Sequence, residues 1–304
     1  WIERRGFVSN KPRKMTLEKK HNLTGWAFLA PATFLIAVFS FWPMIKALVL
    51  SFQTGKGRNM QMAGFTNYIR MFQDDVFIQS IKNTFFYFII QVPIMLLVAL
   101  VLACILNKKD LRFKGFFRTM IFLPCTTSLV AYSIIFRSLF ANDGLVNYVL
   151  VNLGILDKPY NFLTQPFAAK MVIILGLLWR WTGYNMVFFL SGLQNIEYSV
   201  YEAAKIDGAS AIQTFFKITV PLLKPTILLT AIMSTNGTLQ LFDESINLTD
   251  GGPANASISM SHYIYNLCFK YVPNFGYAAA MSFFILLLVA VLAFMQMRVG
   301  DKRD

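Results

Sequence analysis

The sequence predicts an all-α integral membrane protein: six transmembrane helices with a short cytoplasmic helix between the fourth and fifth spans. Three observations carry this. First, 56% of the 304 residues are hydrophobic and only 14% charged, with a mean hydropathy of +0.53, whereas a soluble domain carries about 25% charged residues. Second, six apolar stretches, at 25–53, 83–107, 115–139, 168–194, 218–242 and 276–298, each reach the ~20 residues that cross a bilayer as a helix. Third, the basic residues are divided unequally between the two sides of those stretches, as they are when cytoplasmic connections retain Lys and Arg.

Taken in order, residues 1–22 form a basic segment with Arg4, Arg5, Lys11, Arg13, Lys14, Lys19 and Lys20. The first apolar stretch outlasts the 7–15 residues of a signal-peptide core, so an uncleaved anchor is expected. Lipid offers the backbone no partners, so uninterrupted helix is the expected form of each span. The 107–118 connection holds Lys108, Lys109, Arg112, Lys114 and Arg118; with Lys205, Lys217, Lys224, Arg298, Lys302 and Arg303, one side carries 18 of the 28 Lys and Arg. The opposite side, at 54–82, 140–167 and 243–275, carries six. Both termini are therefore expected in the cytoplasm, with a six-span domain over 23–298 and a tail over 299–304. Asp250-Gly251-Gly252-Pro253 in the last outer segment is a strong turn cluster.

The net charge of +13 is thus mainly a topology signal rather than a nucleic-acid footprint, because the aromatics lie in the apolar runs. Cys104, Cys125 and Cys268 form no framework, and His21 and His262 have no ligand-like neighbours, so no metal is expected. None of the fifteen carboxylates falls in the middle of an apolar stretch, with Asp243 and Glu244 placed near the outer boundary. This weakens an ion-coupled carrier, which keeps ionisable groups at depth, and an intramembrane enzyme, which needs a nucleophile or paired acids there. No phosphate-binding Gly-x-x-x-x-Gly-Lys-Ser/Thr loop is present, so nucleotide hydrolysis would belong to another chain.

The most informative segment is 199–225. Ser199 and Glu202 have capping-box spacing, Gly208 can stop a helix in the left-handed conformation, and Ser210 and Gln213 repeat the box before Phe215 and Phe216. The expected shape is helix over about 199–208, sharp turn, helix. Glu202-Ala203-Ala204, Asp207-Gly208-Ala209 and Ile218-x-Val220-Pro221 resemble the cytoplasmic "EAA" signature of the membrane subunits of binding-protein-dependent ABC importers. Within these, the chain is similar to the maltose-type sugar permeases. Trp26 to Pro31, Trp42-Pro43, Gly64-Phe65-Thr66-Asn67-Tyr68, Leu123-Pro124 and Thr249-Asp250-Gly251-Gly252-Pro253 extend the similarity over roughly 25–298.

The resemblance implies a bacterial cell-membrane permease subunit that does no covalent chemistry and binds no cofactor itself. It implies a second homologous permease, two ATPase subunits holding ATP and Mg, and an extracytoplasmic solute-binding protein that delivers a carbohydrate. Glu202, Ala203, Ala204, Asp207, Gly208 and Ala209 would couple to the ATPase. The alternatives are the same importer class carrying glycerol phosphate or another polar solute, or an ion-coupled secondary carrier.

Neutral polar groups within the spans are the candidates for the path. Counted from Pro225, Ser234 lies about 14 Å into the fifth span. It shares a face with Thr238; Gly237 lies between them, and Asn236 and Gln240 continue outward. The alternative for this run is interhelical hydrogen bonding, with Gly237 allowing close packing. In the fourth span Trp181, Tyr184, Asn185 and Phe188 share a face suited to sugar rings. The resemblance instead places Thr182, Gly183 and Met186, on another face, near the sugar. Arg180, about 18 Å into this span, should face the bundle interior or the partner subunit, where it could form an ion pair or engage a phosphorylated substrate. In the third span Pro124 is expected to kink the helix, with Thr126, Thr127 and Ser128 re-satisfying carbonyls and Cys125 a further path candidate.

Overall fold

The computed structural model describes residues 16–56, 59–108 and 110–300. Most of the basic N-terminal segment, Lys109 and the last four residues lie outside the described residues. The chain divides into two compact units, one ending at Val49 and the other beginning at Leu50.

The first unit is helical: α1 (Leu17–Ile36), a five-residue π-turn (Ala37–Phe41) and α2 (Trp42–Ser51), whose last residues enter the second unit. Pro43 cannot donate and crowds the carbonyl four residues earlier. The wider π-turn, closed by Trp42 N–H to Ala37 O, immediately precedes it. Trp26, Phe28, Phe34 and Phe39 are exposed.

The second unit opens with a hairpin that the sequence reading did not anticipate. Strands β1 (Gln53–Lys56) and β2 (Asn59–Met62) pair antiparallel, with Gln53 opposite Met62. After the short α3 (Thr66–Met71) comes α4 (Asp75–Asn107), started by the Asp74 carboxylate, which accepts from Val76 and Phe77 N–H. The third span is α5 (Lys114–Thr126) and α6 (Leu129–Leu139), followed by α7 (Leu145–Asn152) and the long α8 (Pro166–Gln194). The short α9 (Tyr198–Ile206) leads to α10 (Ala211–Thr214), a π-turn (Phe215–Thr219), α11 (Val220–Leu222) and α12 (Lys224–Leu239). A π-turn (Ser245–Thr249), α13 (Met260–Tyr265), a further π-turn (Asn266–Lys270) and α14 (Phe275–Gly300) complete the chain.

Among the described residues four helical segments are long and apolar enough to cross a bilayer, and two bent pairs, each counted as one span, bring the number to six. The expectation of uninterrupted helix fails for those two. α5 and α6 meet at 98°, and the 211–222 segment meets α12 at 73°. Both breaks follow from proline. Thr127 and Ser128, just after Pro124, are extended, and the Thr126 and Thr127 hydroxyls donate to Leu123 O (2.8 Å) and Pro124 O (2.7 Å). Pro221 and Pro225 flank the second break at Leu223; Pro225 has no N–H for the Pro221 carbonyl.

α4 is the central pillar. Tyr87 clusters with Val172 and Ile173 near the start of α8, while Ala99, Ala103 and Leu106 cluster with Met186, Phe189 and Leu193 near its end. The two helices therefore run parallel, as spans two and four should. A third cluster joins Phe77 to Leu239, Met260, Tyr277 and Met281.

The polar end of α4 grips the segment between α12 and α14. Asn83 Nδ2 donates to Ile258 O (2.9 Å) and Asn255 O (3.1 Å), Tyr87 Oη donates to Ser257 O (2.9 Å), and Thr84 Oγ1 accepts from Met260 N–H (3.2 Å). Ser259 Oγ then donates to Leu241 O and Ser245 Oγ to Ser257 O (3.1 Å). Residues 241–245 are thereby fixed to the bundle. The turn cluster falls within this segment, with Asp250 and Gly251 at φ 49° and 74°.

Candidate functional site

Between the fourth and fifth spans the expected helix–turn–helix forms. α9 begins at Tyr198, earlier than its capping pattern suggested, so the Ser199–Glu202 box is absent. Glu197 occupies the N-cap, and Ser199, inside the first turn, donates to its carboxylate (3.3 Å). The end of the helix is as expected: Gly208 has φ +75°, its N–H bonds Lys205 O (3.2 Å), and Ala209 N–H bonds Ala204 O (2.9 Å). These two bonds make a Schellman stop. The second box also forms: Ser210 Oγ accepts from Gln213 N–H, while Gln213 Oε1 accepts from Ser210 N–H.

One face of α9 is anchored through buried Ala204 and through Tyr201, whose hydroxyl lies 3.4 Å from Thr219 Oγ1. The other presents Glu202, Ala203, Asp207 and Gly208, with Ala209 partly covered. Ile206 is 86% exposed, and Ile212 is also exposed. Neither was singled out from the sequence.

Within the bundle, α4, α8, α12 and residues 240–244 enclose a cavity of about 330 Å³. Of the predicted path residues, Trp181, Tyr184, Asn185, Ser234, Gly237 and Thr238 line it. Trp181 and Tyr184 meet edge to face at 5.8 Å, and Tyr184 meets Phe188 at 5.1 Å. Ser234 Oγ donates to Asn185 Oδ1 (3.3 Å), and Thr238 Oγ1 donates to Gln91 Oε1 (2.9 Å). Asn185 Nδ2 donates to Trp181 O (3.1 Å). Interhelical bonding and cavity lining, posed as alternatives, are combined in the same hydroxyls. Gly237 is not a close-packing glycine: a Cβ there would meet nothing within 4 Å.

Thr182, Gly183 and Met186 do not join this cavity. All three are buried on the other face of α8, where Met186 packs with Ala99, Ala103 and Phe189. Gly183 allows the α8 and α5 backbones to touch, since a Cβ there would lie 2.0 Å from Ile121 O. Gly183→Ala is accordingly expected to force the helices apart at about 1–3 kcal/mol, seen as a lower melting midpoint in detergent. Cys125 also lies outside the cavity lining, on α5.

Arg180 faces the bundle interior, 6% exposed, and does not line the cavity. Its Nη1 donates to Thr127 O (2.9 Å) at the break in span three, and its guanidinium lies 5.2 Å from the Tyr132 ring and 5.4 Å from the Trp181 ring. It thus braces the break and backs the aromatic wall rather than presenting itself to a phosphate.

The sequence reading missed three polar contributors to the wall. Gln91 is a lone amide in the apolar run of span two, a signal that was available. Asp243 and Glu244 line the cavity instead of lying at a solvated boundary, and Glu244 is only 4% exposed. The clamp on residues 241–245 brings them there, and composition carries no sign of it.

In the outer segment, burial lowers the pKa of His262. The Asp250 carboxylate, 3.7 Å from Nε2, opposes this shift, and Lys270 reinforces it. Its Nδ1 lies 2.9 Å from Ser245 Oγ. The fold disfavours the protonated imidazole, while the unfolded chain protonates near its ordinary value of about 6.5. Stability should therefore fall as pH drops below that value. Melting midpoints between pH 7.5 and 5 should decline less for His262→Gln than for the unaltered chain.

Comparisons with known proteins agree with this architecture. Residues 77–303 match the family described as "Binding-protein-dependent transport system inner membrane component". The chain is 51% identical to the lactose transport system permease protein of Rhizobium radiobacter over 292 residues, 95% of this chain and 98% of the relative. It is 33% identical to the multiple sugar-binding transport system permease protein of Streptococcus mutans, covering 95% and 99% of the two chains. Among solved structures, a bacterial ABC transporter that imports the acidic polysaccharide alginate superposes with a TM-score of 0.82 at 24% identity, covering 93% of this chain and 96% of the other. The chain belongs to the binding-protein-dependent transport system inner membrane component family, as a multi-pass permease subunit of an ABC importer.

Proposed function

We propose that this chain forms half of a carbohydrate path, taking a lactose-like disaccharide or short oligosaccharide from an extracytoplasmic binding protein. The observation that carries this reading is the meeting of Trp181 and Tyr184 with Asn185, Ser234 and Thr238 in one cavity. Aromatic faces pack on the C–H faces of a sugar ring while neutral amides and hydroxyls hydrogen-bond its hydroxyls. The sugar-transport relatives support the same substrate class.

A second homologous permease completes the path, and two separate ATPase subunits hold ATP and Mg. Glu202, Ala203, Asp207 and Gly208, exposed on α9 and its stop, engage the ATPase together with Ala209, whereas Ala204 is buried and anchors the helix instead; both termini are cytoplasmic. A well-terminated α9, anchored at Ala204 and Tyr201, can transmit a push as a rigid body. Closure of the ATPase pair would then turn the permease halves outward.

The test is uptake of labelled lactose by proteoliposomes containing the full importer and its binding protein. Uptake should require internal ATP and ignore ionophores; uptake that follows an ion gradient without ATP would refute the reading. In the same assay Trp181→Ala should lower uptake about tenfold, the equivalent of losing ~1.4 kcal/mol of aromatic contact.

A further inference from the structure

The cavity contains hydroxyls, amides, aromatic rings and two carboxylates, but no Lys, Arg or His among the described residues that line it. We propose that Asp243, with Glu244 behind it, makes this path select neutral saccharides over anionic ones of the same size. The inference rests on the carbohydrate reading of the cavity and adds a charge criterion to it.

Three observations define the charge balance. Among the described residues, the ion pairs within 4.0 Å both fall on Asp250, with His262 and Lys270, so neither Asp243 nor Glu244 takes part in one. Arg180 stands behind the wall, where its charge acts on Glu244, but its Nη1 is used at Thr127 O and its plane lies near two rings. Arg180 thus presents no positive charge to the cavity, Glu244 is buried, and the partly exposed Asp243 is the carboxylate that faces it.

A path built for a uronate or a phosphorylated sugar needs a guanidinium or ammonium presented to the anion. This wall presents acceptors of the opposite use: a carboxylate accepts hydrogen bonds from sugar hydroxyls and repels a carboxylate in the same low-dielectric space. The fold does not set this preference, since a structural neighbour of the same fold imports an acidic polysaccharide. The lining residues must set it.

The test uses the purified permease–ATPase complex without its binding protein, so that the filter is read on the path itself. Labelled lactose is displaced by lactitol or by lactobionate, open-chain counterparts that differ only in a CH2OH or a carboxylate. The unaltered complex should prefer lactitol by tenfold or more. Asp243→Asn, and separately Asp243→Asn with Glu244→Gln, should narrow that ratio to about threefold or less, whatever happens to lactose affinity. The single variant guards against misfolding caused by changing the buried Glu244. Equal displacement in the unaltered complex, or an unchanged ratio in folded Asp243→Asn, would overturn the charge filter alone. Absence of saturable lactose binding while the full importer still takes up lactose would overturn the filter alone; absence of both would overturn the carbohydrate reading, and the filter with it.

Discussion

Gly208→Val is expected to reduce ATP-driven uptake to background while leaving the protein in the membrane. The space around Gly208 is open, for an added Cβ would meet nothing within 4 Å, so the penalty is not a clash within the chain. It comes from φ +75°, a left-handed conformation costing an ordinary L-residue about 1–2 kcal/mol and a β-branched one more. The Schellman bonds from Gly208 and Ala209 would loosen, and α9 would lose the fixed stop on which a rigid push depends. Gly208→Asn separates geometry from bulk, because Asn tolerates the left-handed region. It should retain measurable uptake if the helix stop is what matters, and none if an ATPase groove simply excludes a side chain. Charge reversal at Glu202 should also abolish uptake. Full uptake by Gly208→Val would remove α9 from the coupling role.

The second large effect is expected at Arg180. Arg180→Met fills similar volume but withdraws the donor from Thr127 O at the 98° break and the cation from the Tyr132 and Trp181 rings. A charge-assisted hydrogen bond contributes about 1.5–3 kcal/mol, so a clear loss of melting midpoint in detergent is expected, together with impaired uptake. Arg180→Lys keeps the charge but not the planar fork, and should recover only part of the stability. If Arg180→Met melted like the unaltered chain, the brace at the break would be refuted.

What was legible in the sequence was local. Gly208 and the Ser210–Gln213 pair specify their turn within a few residues, and Trp181, Tyr184 and Asn185 share a face by helical spacing alone. The broken spans were only half visible. Pro124 marked the first break as a kink, whereas Pro221 and Pro225 were not read as a second, and both angles depend on what the two halves pack against. The second, competing face of α8 was decided by packing: Gly183 lies against the α5 backbone at Ile121, so that face has no room for a substrate. Glu244 was misplaced for the same reason. Its depth depends on Asn83, Thr84 and Tyr87 holding residues 255–260, and on that loop holding 241–245, contacts about 170 residues apart along the chain.

We place the path along the Trp181, Tyr184 and Asn185 face of α8 and the Ser234 and Thr238 face of α12. An experimental structure of the assembled importer trapped with a saccharide in transit tests this placement. Sugar density is expected against Trp181 and Tyr184, within hydrogen-bond reach of Asn185, Ser234 or Thr238. Density on the face formed by Thr182, Gly183 and Met186, with α5 displaced to admit it, would refute it.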